Sequence, residues 1–112
     1  MAVKKIAGSE ITKVAAASDK LVLVDFSATW CGPCKMLEPV LEKVSEELSQ
    51  RVAVYAIDVD ASPVESGKFG VRGVPTMILF HKGAEIDRMV GFRDKGALVN
   101  HLSRLADEKL GV

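Results

Sequence analysis

Two rhythms of apolar residues divide this chain into strands and helices. Leu21-Val22-Leu23-Val24-Asp25-Phe26 is apolar on both alternating faces apart from Asp25, and it predicts a central strand, Leu21 to Ser27, covered on both sides. Val52 to Asp58 is a second β-rich, largely apolar run. Helical spacing takes over at Met36, Leu37, Val40, Leu41, Val44 and Leu48, which predicts a long helix from about Pro33 to Ser49. Pro33 is tolerated in a first turn, whereas Pro39 falls in the interior and predicts a kink. Leu98, Val99, Leu102, Leu105 and Ala106 make one apolar face of a last helix starting at Asp94 or Lys95. Before it, an apolar strand from Met77 to Phe80 runs into the turn His81-Lys82-Gly83-Ala84, and Ile86 to Val90 returns antiparallel.

The weaker signals fill the gaps. Val3 to Ile6 reads as a first strand that Lys4 and Lys5 suit to a sheet edge. Ser9 is a candidate N-cap for a helix from Glu10 to Ala17, and Asp19-Lys20 turns the chain. Ser62-Pro63-Val64-Glu65 combines an N-cap, a proline at the first helical position and a capping-box acid, predicting a short helix that stops near Gly70. The order is therefore βαβαβαββα. Alternation in the first half predicts parallel strands with helical crossovers, and the closing hairpin an antiparallel edge. The expected class is α/β, a mixed five-stranded sheet flanked by four helices.

Size and charge narrow the chemistry. A chain of 112 residues, 48% hydrophobic, is expected to form one domain, 1–112, around a single core. Fifteen basic side chains balance fifteen acidic ones, so nothing in the net charge favours nucleic acid or an anionic membrane as partner. No apolar run is long enough to span a bilayer, and Met1 to Gly8 lacks a signal-peptide core. The expected compartment is the cytoplasm, where a cysteine pair reads as redox or metal-binding chemistry.

Trp30-Cys31-Gly32-Pro33-Cys34-Lys35 holds both cysteines and the only tryptophan, at the junction of the central strand and the long helix. Cysteines at i and i+3 of a helix share a face with Cβ atoms roughly 5–6 Å apart. A disulfide wants about 3.8 Å, so a small adjustment of the first turn lets the pair open and close. Unpartnered amides and the helix dipole at that end favour a thiolate. Cys31 is the candidate nucleophile, its sulfur expected to face solvent, and Cys34, one turn deeper, is the candidate resolving thiol. Pro33 carries no amide proton, so the Gly32-Pro33 insert withholds one donor from the Cys31 thiolate and favours a reductase over an oxidase. Half a zinc site is the competing reading of the pair. His81 and His101 stand twenty positions apart, whereas zinc-ligand histidines are typically spaced three to five, so no metal is expected. Lys35 is read as a solvated charge.

Asp25 is an acid inside an apolar strand. Desolvation should raise its pKa, and two readings stay open: a carboxyl satisfied by backbone or water, or a proton acceptor for Cys34.

The hexapeptide, the preceding Val24-Asp25-Phe26-Ser27-Ala28-Thr29 and the distant Gly73-Val74-Pro75-Thr76 together resemble the thioredoxin family, from about Val3 to Leu105. The resemblance implies the thioredoxin fold, a protein-disulfide reductase and a catalytic role for Asp25. It implies no bound cofactor, with reducing equivalents from NADPH arriving through a thioredoxin reductase. It further implies a cis bond at Val74-Pro75 opposite the cysteines, and a substrate rim of Trp30, Gly73, Val74, Pro75, Gly91 and Phe92. Disulfide-containing proteins are the implied targets of a monomer. Two departures stand out. The lysine that family members often carry beside the buried acid is Ala56 here, and the position of a frequent second tryptophan is Ser27. The rival readings are a disulfide oxidase or isomerase, and an adaptor that uses the fold without its sulfurs.

Overall fold

The computed structural model describes residues 2–111; Met1 and Val112, the ends of the expected 1–112 domain, lie outside the described residues. The elements are β1 (Lys4–Lys5), a 3-10 turn (Gly8–Glu10), α1 (Ile11–Ala17), β2 (Leu21–Ser27), α2 (Gly32–Glu47), β3 (Val52–Asp58), α3 (Pro63–Lys68), β4 (Thr76–His81), β5 (Ala84–Val90) and α4 (Lys95–Leu110). They form one five-stranded sheet in the order β1-β3-β2-β4-β5. β1, β3 and β2 are parallel, and β4 and β5 each run antiparallel to their neighbour, as the expected mixed sheet requires.

β2 is central because its side chains are apolar on both faces, and both faces are covered. Leu21 and Leu23 pack with Leu37, Leu41 and Val44 of α2 and Leu98, Leu102 and Ala106 of α4. Val22, Val24 and Phe26 pack on the opposite side with Ile11 and Ala15 of α1. Phe69 stacks there at tilted and edge-on angles against Phe26 and Phe80. The alternation along β2 puts Asp25 on the α2 side.

Several boundaries differ from the expectation for local reasons. β1 is only two residues long, since Val3 N–H bonds Glu42 Oε1 instead of a strand. Ser9 does not cap α1; the 3-10 turn intervenes, and Glu10 holds the Ala7 amide. Ser62 makes no side-chain cap for α3 either. Its hydroxyl accepts instead from the buried Gly8 N–H at 2.9 Å, tying the amino-terminal turn to α3. α2 starts at Gly32 and ends at Glu47, two residues short of Ser49, and continues through Pro39. Asp94 caps α4 by accepting from Ala97 N–H at 2.8 Å. The β4–β5 hairpin turns on Lys82 and Gly83, both at positive φ, as a two-residue I′ turn requires.

Candidate active site

β2 delivers the chain to the hexapeptide, and α2 begins inside it. Cys31 is the N-cap of α2 rather than a residue of its first turn: its backbone is extended, and its Sγ accepts from Cys34 N–H at 3.2 Å. Pro33 stands at the second helical position without an N–H, so the Cys34 amide at the third is the one that reaches the sulfur. Cys31 and Cys34 are joined as a disulfide across 5.2 Å between their Cα atoms.

The expectation that the Cys31 sulfur faces solvent needs correcting. Cys31 is 5% exposed and Cys34 fully buried, because both pack with Ala28, Val59 and Val74. Cys31 Sγ also lies 3.7 Å from Val74 O. The Val74-Pro75 bond is cis. Around it, Thr76 Oγ1 donates to Gly73 O at 2.6 Å and Gly91 N–H donates to Pro75 O at 2.8 Å. Gly73, Val74, Pro75 and Gly91 are thereby linked to one another and to Cys31, with Phe92 partly exposed beside Gly91. Trp30 stands outside that chain of contacts. It is 69% exposed and held by Asp60, which accepts from its indole Nε1 at 2.8 Å.

Asp25 is buried, and its Oδ1 has no hydrogen-bond partner. Burial first, and the Glu38 carboxylate second, push the Asp25 carboxyl up to about 7. No backbone or side-chain group of the described residues bonds this oxygen. Asp25 lines a cavity of about 280 Å³ together with Ala28, Glu38, Leu41 and Ala56. Cys34, Glu38 and Leu41 follow one another at helical spacing, so the carboxyl faces the turn of α2 just after Cys34. Ala56 is the register partner of Asp25 on β3, where counting along the sequence put it.

Glu38 and Asp60 were not among the candidates. Glu38 had a signal, since it lies four residues beyond Cys34 on α2. Asp60 had none, being thirty positions from Trp30 in the turn after β3. Among the described residues no group of three or more His, Cys, Asp or Glu side chains could hold a metal ion, and no helix is long and apolar enough to cross a membrane.

The thioredoxin family model matches residues 2–104. The chain belongs to the thioredoxin family. A thioredoxin of Chlamydia muridarum is 54% identical over 84 residues, 75% of this chain and 81% of that protein. A bifunctional thioredoxin reductase/thioredoxin of Mycobacterium leprae is 50% identical over 86 residues, 77% of this chain and 19% of that longer protein. Among solved structures, chloroplastic thioredoxin z superposes with a TM-score of 0.86 at 36% identity, covering 94% of this chain and 95% of its own. The fold is thus the thioredoxin fold, and the chemistry of the family is thiol–disulfide reduction with a Cys-x-x-Cys pair, which Cys31 and Cys34 supply. These likenesses favour a reductase over an adaptor that ignores its sulfurs.

Proposed function

We propose that Cys31 is the attacking thiolate, Cys34 the resolving thiol and Asp25 the proton acceptor of a protein-disulfide reductase. The observation that carries this reading is the Cys31–Cys34 disulfide at the amino end of α2, with Cys34 N–H bonded to Cys31 Sγ and the buried Asp25 carboxyl lining a cavity together with Glu38, one turn beyond Cys34 on the same helix. In the reduced form the Cys34 amide and the helix dipole favour a Cys31 thiolate. That thiolate attacks one sulfur of a target disulfide, forming a mixed disulfide and releasing the other target sulfur as a thiolate. Cys34 then gives its proton to ionised Asp25, and its thiolate attacks Cys31 Sγ. The second target sulfur leaves, the Cys31–Cys34 bond closes, and solvent protonates both target thiolates. Two electrons pass from the pair to the target.

Gly32 and Pro33 limit the donors available to Cys31, which keeps the thiolate reducing. The Val74 carbonyl and the exposed Trp30 and Phe92 would flank the target's extended segment, with Gly73, Pro75 and Gly91 as its backbone edge. The recharging partner on this reading is an NADPH-dependent thioredoxin reductase; the Mycobacterium leprae relative, named as both activities in one protein, supports that pairing. The protein itself would need no bound cofactor and work as a single-domain monomer in the cytoplasm, where transient disulfides are the rule.

The deciding experiment offers a disulfide-containing protein to the reduced chain and to C34S and C31S. C34S should accumulate a mixed disulfide through Cys31, and C31S should form none and reduce nothing. A mixed disulfide through Cys34 in C31S, at the rate of the wild type, would reverse the assignment.

A further inference from the structure

The cavity beneath α2 is strongly one-sided in charge. Besides Asp25 it is lined by Glu38 and Glu42 of α2 and Asp58 of β3, and its one cation is Lys5 of β1. Lys5 pairs in register with Ala56, and Ala56 with Asp25. Register partners on neighbouring parallel strands point to the same face, so Lys5, Ala56 and Asp25 form a row across three strands. At about 4.8 Å per strand, the ends of that row stand roughly 10 Å apart at Cα. A long lysine and an aspartate can span such a gap if nothing fills the middle. The middle residue offers only a methyl group, and the space beside it is the cavity. Lys5 takes part in no ion pair among the described residues, so its charge is uncommitted. Its neighbour Lys4 pairs with Tyr55 and points to the opposite face.

We propose that Lys5 is the counter-charge of Asp25, its ammonium group entering the space left by Ala56 when the carboxyl ionises. Lys5 is then a positioning residue: it touches neither sulfur and acts by holding Asp25 in the form that can accept a proton. The proposal rests on the proton-acceptor role argued above for Asp25. Without a cation, an ionised Asp25 would face three further acids with no protein donor on its Oδ1; with Lys5 swung inward, that oxygen gains a charged donor. The lysine stem lies along the apolar wall of the cavity while its head reaches the carboxyl, the arrangement open to a long amphipathic side chain.

The test reads Asp25 directly, by the carbon-13 titration of its carboxyl in the reduced protein, for wild type, K5Q and K4Q. Both lysines are exposed, so neither variant threatens folding. K5Q should raise the Asp25 midpoint by about one pH unit, with K4Q within about 0.2 of wild type. An unmoved midpoint in K5Q, or an equal rise in K4Q, overturns the proposal. The pH profile for resolution of the mixed disulfide is measured alongside. Where it moves with the carboxyl, resolution below the midpoint slows about tenfold in K5Q, and both readings stand. Where the carboxyl shifts and the profile does not, the Lys5–Asp25 coupling stands and the proton-acceptor role of Asp25 falls.

Discussion

Trp30 Nε1 donates to Asp60 Oδ2 at 2.8 Å, so the most exposed aromatic ring of the molecule is fixed in place beside the disulfide. An exposed indole without that bond would sample several rotamers, and a target would have to order it on binding. D60A is therefore expected to leave the fold intact, at a cost of about 1 kcal/mol or less, because the pair is solvent-exposed. Trp30 fluorescence anisotropy should fall, and KM for a protein disulfide should rise more than kcat drops. Unchanged anisotropy would show that the bond does not hold the ring.

The burial of Asp25 ties stability to pH. The folded carboxyl keeps its proton up to about 7, whereas an unfolded one releases it near 3.8. Between those values the folded state binds more protons, so stability falls as pH rises through the window and levels off above it. The loss attributable to this group is roughly 4 kcal/mol. Urea unfolding of the disulfide form from pH 4 to pH 8 should show this decline in wild type and a much flatter line in D25N. Parallel lines for the two proteins would count against a perturbed Asp25.

Glu38 adds to that perturbation, second to burial. E38Q should lower the Asp25 midpoint, so the stability decline, which still starts at the unfolded-state value, levels off at lower pH and is smaller, and resolution of a mixed disulfide reaches its plateau at lower pH. A profile shifted upward would mean that Glu38 acts in some way other than charge repulsion.

Gly8 is hemmed in by α3: a Cβ there would lie 2.7 Å from Ser62 Cβ and 2.8 Å from Glu65 Cβ. Both contacts are to the roots of side chains, which cannot swing away. G8A should cost about 1–3 kcal/mol, read as a lower urea midpoint with an unchanged slope. Reductase activity at moderate temperature should be preserved, since Gly8 is far from the sulfurs in the chain and holds α3 rather than α2.

Some of the local misreadings have one cause. Ser9 and Ser62 both satisfy the pattern of an N-cap, yet neither side chain caps its helix. The Ser62 hydroxyl was claimed by Gly8, fifty-four positions away, and no local pattern can anticipate such a bond. β1 shrank to two residues for a similar reason, when Glu42 took the Val3 amide. The strong runs fared better, because an apolar strand such as Leu21–Ser27 has no alternative use for its side chains than a core on each face.

What the amino-acid order determined by itself was the alternation of strands and helices, the placing of two sulfurs at a strand–helix junction, and the dryness around Asp25. Those follow from periodicity and from the company each residue keeps along the chain. The tertiary structure alone decided which distant groups meet: Val74 O with Cys31 Sγ, Asp60 with Trp30, Glu38 against Asp25, and Lys5 in line with Asp25 across Ala56. The physical reason is that hydrophobic burial is non-directional and legible as composition, whereas a hydrogen bond or a charge pair depends on register and angle, and these exist only once the sheet has closed.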